Sequence, residues 1–481
     1  MILDGIDDAE GDSDLRDFVK AQALTFRAFA YTKLLMFYGY RWEESNNGEG
    51  YCCVLRTTAG TEPLPLATMN QVIKQVRSDL DTAIDLYSSC GLDRTYKWEP
   101  NLNIAYGVYA RLGLIIHDWE TAQDMAHKAR QGYPIMDNNT YLSGFYRDND
   151  ELMWIPGLNE ADIYYWSWGS HFAANGTYTL KWELGANAID MTLYRQLDPK
   201  DVRRMLYITP DKKDYTRMSK VNEDYFWNPE LVGNDKCNNL ATGPFDQPPA
   251  SSGKTAWGVY NVAAEYAYGY LHNTLKNNTD KIYFHGDLNE IDNEGFFAYY
   301  SKGNSSDCSA GIKDEFVKLT VCPFGAQLKF FSYAPYGTSA YPFMRGAEMC
   351  ITEAEAAYMR GDYATALSCL KEINGKRISG YNFTAQDESL LEEIKLCRRI
   401  ELWGEGNNWS DFKRWNMPLH RNKWVAKDNW EELGLTVETA GNWFDDVEED
   451  IPADANAGWR FRIPTTESDY NPAVDISLMK Y

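Results

Sequence analysis

Apolar residues recur at helical spacing through much of the chain, and this pattern predicts a mostly α-helical protein. Within residues 14–40, apolar side chains follow one another at intervals of three or four residues, and a glycine ends the series: Leu24, Ala28, Tyr31, Leu35, Tyr38 and Gly39. The same periodicity predicts further helices at 68–91, 101–117, 119–130, 186–197, 346–360, 362–377 and 387–403.

The helical periodicity fades between residues 206 and 345. This stretch is rich in glycine, proline, asparagine and aromatic residues, a composition typical of loops and irregular structure. We therefore predict one compact unit with three regions. These are an N-terminal helical region (1–205), an irregular, aromatic-rich insert (206–345) and a C-terminal region of helices with an irregular tail (346–481).

Two distant helix pairs repeat one pattern. The stretch "AYGVYARLGLIIHDWETAQDMAHKA" (105–129) is similar to "MCITEAEAAYMRGDYATALSCLKEI" (349–373). In each of them an aspartate and an aromatic residue open the second helix, as Asp118-Trp119 and as Asp362-Tyr363. This pattern is typical of tetratricopeptide-like helical hairpins. Because one hairpin cannot bury its apolar face alone, we expect the hairpins to stack.

The stretch "CRRIELWGEGNNWSDFKRWN" (397–416) combines charged residues, glycines and tryptophans, and it could be a catalytic cluster, a binding platform or a structural clamp. We favour the clamp. Arg398 and Glu401 are one helical turn apart and should face each other. Gly404 and Gly406 permit the left-handed backbone that ends a helix. Three tryptophans are predicted to pack the tail against the helices: Trp403, Trp409 and Trp415.

Five stretches, in chain order, resemble the SusD/RagB family of Bacteroidetes. "AQALTFRAFAYTKLLMFYGY" resembles its early helix, "YARLGLIIHDWETAQDMAHKA" its second hairpin, and "FMRGAEMCITEAEAAYMRGDYATALSCL" its R-x-A-E…A-E-A helix. "CRRIELWGEGNNWSDFKRW" is similar to E-R-R-x-E-L-x-x-E-G-x-R-W-x-D-L-x-R-W, and "IPTTESDYNP" to the closing I-P-x-x-E-x-x-x-N-P. Two positions depart from these motifs, because Cys397 replaces an acidic residue and Asn408 replaces an arginine.

The resemblance implies a fold and a function. The fold is a tetratricopeptide-like, SusD-like α/α superhelix. The function is binding of an oligosaccharide or polysaccharide at the outer membrane, with delivery to a SusC-like TonB-dependent transporter and without catalysis or a cofactor. Family members begin with a lipoprotein signal and a lipidated cysteine, so the resemblance also predicts that the native gene product begins upstream of Met1. Membrane attachment would then depend on a lipid anchor that this sequence does not contain.

Charge and motif content narrow the choice of partners. The chain carries 47 basic and 70 acidic residues, a formal charge of −23, which disfavours nucleic acid as a partner. No run of residues is apolar enough to span a bilayer. The nine cysteines and six histidines show no metal-site spacing, so we predict no metal centre. Cys350, Cys369 and Cys397 are predicted core thiols, whereas Cys52-Cys53 is a vicinal pair in a predicted loop.

Aromatic residues supply the candidate binding site. Aromatics make up 14% of the chain, and flat rings stack on the apolar C–H faces of sugars while nearby amides bind the hydroxyls. The resemblance places Trp42 and Asn46 in a glycan-binding loop. Alternating aromatics can also belong to a half-buried strand, an alternative that stays open for the remaining candidates, which are Trp166, Trp168, Trp257 and Tyr299.

Two other functions are compatible with the sequence. A glycoside hydrolase of helical-toroid type needs two carboxylates at catalytic separation, and 70 acidic residues leave that open. A cytoplasmic tetratricopeptide scaffold would bind a peptide in its concave face through a basic or polar groove instead of aromatic loops.

Overall fold

The computed structural model describes two large parts of the chain and several short ones. These are residues 2–142, 145, 148–155, 189–207, 281–285, 296–301, 316–322, 327, 329–330, 341–421, 449–451 and 459–479.

Twelve α-helices lie in the described residues: α1 (Ile2–Gly5), α2 (Ser13–Tyr38), α3 (Met69–Cys90), α4 (Leu102–Ile115), α5 (Trp119–Ala129), α6 (Asn138–Leu142), α7 (Met191–Tyr194), α8 (Gly346–Met359), α9 (Tyr363–Arg377), α10 (Glu388–Glu401), α11 (Asn408–Trp415) and α12 (Thr466–Tyr470). The strands are β1 (Tyr51–Val54), β2 (Leu66–Thr68), β3 (Leu152–Trp154), β4 (Lys281–His285), β5 (Phe296–Ser301), β6 (Phe316–Cys322), β7 (Met344–Arg345), β8 (Leu419–Arg421) and β9 (Glu449–Ile451).

The prediction of a mostly α-helical fold is confirmed. Seven of the predicted helices are present with ends within about two residues of the predicted ones. Two predictions were wrong. Of the helix predicted at 186–197, the described residues 189–197 are helical only at Met191–Tyr194, and the tail after residue 404, predicted to be irregular, contains α11. Sequence periodicity could not identify α11, because it is only two turns long and its buried face carries charged residues.

The two predicted hairpins open their second helices in the same way. Asp118 and Asp362 are the N-caps of α5 and α9, with backbone angles φ −84°, ψ 78° and φ −83°, ψ 68°. Each carboxylate accepts a hydrogen bond from the amide three residues on, in Thr121 or Thr365, at 3.2 and 3.1 Å. The repeated Asp-aromatic pattern is therefore a repeated capping device.

Loss of these caps should destabilise the protein by different amounts. We expect Asp362→Ala to lower the free energy of unfolding by about 1 kcal/mol. Asp118→Ala should lower the free energy of unfolding further, because Asp118 also pairs with Arg77 at 2.5 Å. Urea unfolding of both variants measures this, with the exposed Glu120→Ala as the control in the first turn of α5. Equal stability of Asp118→Ala and Glu120→Ala would contradict the assignment.

The two hairpins stack on each other although more than 200 residues separate them in sequence. Helix α5 packs along α8, and Ala122 joins Ala356 in a shared apolar cluster. Two charged contacts fix their register: Arg111 pairs with Glu348 at 2.7 Å, and Arg130 pairs with Glu353 at 2.7 Å. The expectation that the hairpins stack is thus confirmed.

Two apolar cores lie on either side of this contact. The N-terminal core is formed mainly by α2, α3 and α4, and the C-terminal core by α8, α9 and α10. Cys350, Cys369 and Cys397 are buried free thiols in the C-terminal core, as predicted. The placement of Cys52 and Cys53 in a loop was wrong. They lie buried in β1, where a bulge interrupts the pairing with β2.

The predicted insert contains a three-stranded antiparallel sheet with the order β4-β5-β6. In its register Tyr283 pairs with Tyr299, and Tyr299 pairs with Lys318. Most of residues 206–345 lies outside the described residues, so the proposed boundaries of this region stay a prediction. None of the helices in the described ranges is long and apolar enough to cross a membrane.

Candidate functional site

The structure brings two of the predicted glycan-binding residues together. Trp42 begins a 3₁₀ turn (Trp42–Glu44), and Asn46 follows it in a left-handed conformation with φ +52°. Ser45 organises the loop, because its Oγ donates to the carbonyl of Trp42 at 2.6 Å and accepts from the amide of Gly48 at 2.8 Å. Gly48 is required here. Its φ is +85°, and an added Cβ would lie 2.2 Å from the Asn70 side chain.

Trp42 is not an isolated loop residue. Its side chain is half-buried and packs against the N-terminal core, whereas Asn46 is exposed. Glu43 lies 3.3 Å from His117, whose ring stacks on Trp119 at 4.6 Å. The loop is therefore held against the turn between α4 and α5. Because of this packing, truncation of Trp42 is expected to lower stability.

The other predicted site residues lie outside the described residues in whole or in part. Trp166, Trp168 and Trp257 are not described, and for Tyr299 only the backbone in β5 is described. Their role in glycan binding stays a prediction.

An exposed aromatic pair that the sequence analysis did not select lies between α3 and α4. Tyr96 and Trp98 are 51% and 45% exposed, and their rings stack 4.0 Å apart at an interplanar angle of 8°. Large rings that remain this exposed gain little from burial within the fold, so the outer faces are available to a ligand.

The backbone beneath this pair is held rigidly. Glu99 Oε2 accepts from the amides of Thr95 and Tyr96, each at 3.0 Å. Arg94 donates to the carbonyl of Glu99 at 3.1 Å, and Lys97 donates to Asp148 at 2.6 Å. A platform fixed in this way loses little conformational entropy when a ligand binds.

Further exposed rings surround the same place. Phe26 from α2 and Phe343 lie 5.5 and 5.8 Å from the ring of Trp154, which is itself buried. The indole Nε1 of Trp154 donates to the carbonyl of Trp98 at 2.9 Å. We call the four exposed rings that are linked through Trp154, two by ring contacts and two through this hydrogen bond, the aromatic patch: Phe26, Phe343, Tyr96 and Trp98. The Tyr-x-Trp spacing in "RTYKWEP" was the only sequence signal for it, because the other two rings come from distant segments.

The predicted clamp is a pair of buried ion-pair clusters. In the first, Glu401 is fully buried and accepts from three arginines, with distances of 3.0 Å to Arg377, 3.1 Å to Arg345 and 3.3 Å to Arg203. Three further charged residues complete this Glu401 cluster: Glu151, Lys329 and Glu405. These residues come from six separate segments, so the cluster ties the N-terminal region to α9 and α10.

The Glu401 cluster contains four cations and three carboxylates, and Asp201, which pairs with Arg203 at 2.7 Å, balances the remaining charge. Arg345 donates to Glu151 at 2.6 Å and to Glu405 at 2.8 Å. Lys329 reaches Glu405 at 2.5 Å and also donates to the carbonyls of Glu401 and Trp403. Burial lowers the pKa of Lys329 to about 8, against the opposing effect of Glu405. Gly404 and Gly406 both have φ +77°, as the sequence predicted for the turn after α10.

The second cluster lies between α8, α10 and α11. Arg414 pairs with Glu355 and, at 3.0 Å, with Asp411, which in turn pairs with Arg398 at 2.8 Å. The prediction that Arg398 faces Glu401 was wrong, because Arg398 points to α11 instead. The tryptophans pack as predicted. Trp409 stacks on Phe461 at 5.0 Å, Trp403 meets Tyr207 edge-on, and Trp415 donates to Glu355 at 2.7 Å.

Lys413 connects α11 to the end of α2. Its side chain is buried, and Nζ donates to the carbonyls of Met36 at 2.9 Å and Gly39 at 2.5 Å. Both carbonyls lie at the C-terminal end of α2, where the last carbonyl groups of a helix have no hydrogen-bond partner within the helix. Burial lowers the pKa of Lys413 to about 7, and the nearby Arg460 acts in the same direction. The stretch at 21–40 and the stretch at 397–416, which both resemble family motifs, are therefore in direct contact.

The depressed pKa of Lys413 predicts a pH dependence of stability. Between pH 7 and the ordinary lysine pKa of 10.5, the unfolded chain keeps a proton that the folded protein has lost. Stability from this group should therefore rise with pH across that window, by roughly 1 kcal/mol per pH unit. Thermal melts of wild type and Lys413→Met at pH 7 and pH 9 measure the effect. A difference between the two proteins that does not change with pH would contradict it.

The carboxyl group of Glu401 is unsuited to acid catalysis. The three arginines around Glu401 hold the pKa of its carboxyl well below the ordinary value, although burial alone would raise it. A glycosidase acid needs the opposite shift. No group of three or more His, Cys, Asp or Glu side chains that could hold a metal lies in the parts of the chain that the structure covers.

Two protein-family models match this chain, one at each end. The model of the SusD family matches residues 329–476. The model described as starch-binding associating with outer membrane, of the SusD-like type, matches residues 1–114. Both ends of the chain, which meet in the clamp, thus match related models. The chain belongs to the SusD family. Among curated proteins, none matches.

Solved structures of the SusD superfamily share this fold. A SusD-like carbohydrate-binding protein from Bacteroides vulgatus is 18% identical, with a TM-score of 0.61 over 98% of this chain and 80% of its own. A SusD superfamily protein from Bacteroides thetaiotaomicron is 17% identical, with a TM-score of 0.61 over 98% and 81%. A putative sugar-binding protein from Bacteroides vulgatus is 17% identical, with a TM-score of 0.58 over 98% and 80%. At these identities the likeness establishes the SusD-like fold.

Proposed function

We propose that this SusD-family protein binds a carbohydrate at the outer cell surface and delivers it to a SusC-like TonB-dependent transporter. The observation that carries the binding step is the rigidly held aromatic patch, with the stacked and exposed Tyr96–Trp98 pair at one side. Aromatic faces bind the C–H faces of sugars and tolerate different glycans. The name of the matched family model supports both the ligand class and the membrane location.

The loop with Trp42 and Asn46 is a second proposed contact for the glycan. The exposed amide of Asn46 suits sugar hydroxyls, and the half-buried ring of Trp42 offers at most one face. Trp166, Trp168, Trp257 and Tyr299 remain proposed contacts on the evidence of the sequence.

The protein is proposed to bind its glycan without cleaving it. Every carboxylate is ion-paired in the Glu401 cluster and in the second cluster of the clamp, which contains Arg414. The pKa of Glu401 is lowered, away from the range of a catalytic acid. A hydrolase is the alternative. A cytoplasmic peptide-binding scaffold receives less support, because the exposed feature of the described surface is a cluster of aromatic rings.

Affinity electrophoresis against a panel of polysaccharides, including starch, tests the binding step. We expect retardation by at least one polysaccharide and no release of reducing ends on prolonged incubation. Release of reducing ends would favour the hydrolase, and no retardation by any glycan would contradict the proposal.

Delivery to a transporter needs a separate test. The tagged, full-length native protein should co-purify with a TonB-dependent transporter from detergent-solubilised outer membranes. Recovery of the protein only in the soluble cytoplasmic fraction, without any such transporter, would overturn this part of the proposal.

A further inference from the structure

A polar cavity of about 560 Å³ lies away from the aromatic patch, on different elements. Its walls come from residues 196–203, from the segment 374–383 that ends α9 and follows it, and from one face of α10. Every lining residue belongs to the described part of the chain. The volume is within the range of about 300–1,000 Å³ that is typical of small-ligand pockets.

The floor of the polar cavity is a completed set of buried polar groups. Arg203 donates to Asp201 at 2.7 Å and to Asn374 Oδ1 at 2.9 Å, and the thiol of Cys397 lies 3.3 Å from the same Oδ1. Arg203 also joins the Glu401 cluster. Because these groups satisfy one another, the floor is rigid and needs no ligand to complete it.

Glu393 on the wall has one oriented and one open carboxylate oxygen. Its Oε1 accepts from the hydroxyl of Tyr381 at 3.1 Å and from the amide of Asn374 at 3.3 Å. Its Oε2 makes no hydrogen bond within the described residues. A carboxylate that is held in place through one oxygen presents the other as a strong acceptor for a hydroxyl donor.

Two aromatic rings line the same cavity. Tyr381 and Phe383 are half-buried, so each ring keeps an accessible portion, and both line the cavity that Glu393 also lines. An apolar ring face beside a hydroxyl acceptor fits a ligand that has both an apolar face and several hydroxyls.

The charges of the lining disfavour anions. Three carboxylates and two cations line the cavity, and Asp201 and Arg203 neutralise each other. The remaining groups are Asp198, Lys200 and Glu393, which give no strong excess of either sign. An anion would meet the carboxylates. A neutral polyhydroxylated ligand has no such conflict.

We propose that the polar cavity is a second carbohydrate site, which takes a neutral sugar unit with hydroxyls bound by Glu393 and a ring face against Tyr381 or Phe383. This inference rests on the proposed carbohydrate-binding function and adds a site that is separate from the aromatic patch. The cavity has room for about one or two sugar rings.

Two variants and two controls test the second site. Glu393→Gln removes the charge of the acceptor with little change in shape. Ser379→Trp places a bulky ring at an exposed position of the cavity lining. Glu392→Gln is the matched control on the same helix, because Glu392 is exposed, pairs with Lys395 and does not line the cavity. Leu92→Ala truncates an exposed side chain that lies outside both the aromatic patch and the cavity lining.

Ligand-observed NMR titrations with glucose, galactose, mannose, xylose and N-acetylglucosamine measure binding to each folded variant, with folding checked by thermal melts. We expect at least one of these sugars to bind wild type, and both cavity variants to weaken its binding by about tenfold or more, since hydrogen bonds to charged groups are the stronger ones. Glu392→Gln and Leu92→Ala should bind it as wild type does. Unchanged binding in either cavity variant, or an equal loss in Glu392→Gln, overturns the inference.

Polysaccharide retardation on the same preparations separates this inference from the proposed function. Retardation of wild type with no binding of any of the five monosaccharides overturns the second site alone. Absence of both overturns the second site together with the proposed function.

Discussion

Replacing Glu401 with glutamine is expected to lower the free energy of unfolding by about 3–5 kcal/mol, because it leaves buried arginines without their counter-charge. Glu401 is fully buried and accepts from Arg203, Arg345 and Arg377. A neutral amide can accept only part of these hydrogen bonds and offsets none of the positive charge. Urea unfolding measures the effect.

Glu392→Gln is the control for this prediction. It lies on the same helix, is exposed and pairs only with Lys395, so we expect a change within about 0.5 kcal/mol. The double variant Glu401→Gln/Arg203→Gln should be less destabilised than the sum of its single variants, because it restores the charge balance. A Glu401→Gln protein as stable as wild type would show that the cluster does not hold the fold.

The lowered pKa of Glu401 adds a pH signature to the same test. The stability that its charge provides is fully present above its ordinary pKa of 4.5 and is lost as pH falls towards the folded value. Glu401→Gln has no such group. We therefore expect the stability difference between the two proteins to shrink as the pH falls below 4.5, and a constant difference would contradict the assignment.

The second large effect is expected on ligand affinity. Trp98→Ala should weaken glycan binding by about 2 kcal/mol or more, which is roughly thirtyfold, because a rigid exposed ring is the type of residue that dominates binding sites. Its stability should change little, since the ring is 45% exposed and the hydrogen bond from Trp154 reaches its backbone carbonyl. Titration with a glycan that wild type binds, together with a thermal melt, tests both parts.

Leu92→Ala serves as the matched control for Trp98→Ala. Leu92 is 41% exposed, also follows α3 and lies outside the aromatic patch. Its truncation should leave both affinity and melting temperature unchanged. Equal affinities of Trp98→Ala and Leu92→Ala would exclude the aromatic patch as the main glycan contact.

Trp42→Ala then distinguishes between the aromatic patch and the loop with Trp42 and Asn46 as the main glycan contact. If the loop is the main contact, this variant should lose about as much affinity as we predict for Trp98→Ala, and Trp98→Ala should lose little. Because Trp42 packs partly against the N-terminal core, a lower melting temperature is expected in either case. Affinity must therefore be compared at a temperature at which both variants are folded.

The sequence by itself determined the local elements of this protein. Helical periodicity gave the seven main helices, because each buries one face and repeats its apolar residues every three to four positions. The capping aspartates at 118 and 362 could also be identified from the sequence, because a cap depends only on residues within one turn. The motif at 397–416 could be assigned to a clamp because its glycines and charges have local preferences.

Only the tertiary structure decided which distant groups meet. Arg398 pairs with Asp411 instead of Glu401, and Lys413 caps α2 from more than 370 residues away, because the packing of whole helices sets these partners. For the same reason the sequence could indicate only the Tyr96–Trp98 part of the aromatic patch. Phe26 and Phe343 are separated along the chain, and they become neighbours only because β3 pairs with β7 and places Trp154 between them. Periodicity reports which face of an element is buried, but contacts between elements depend on how those faces pack.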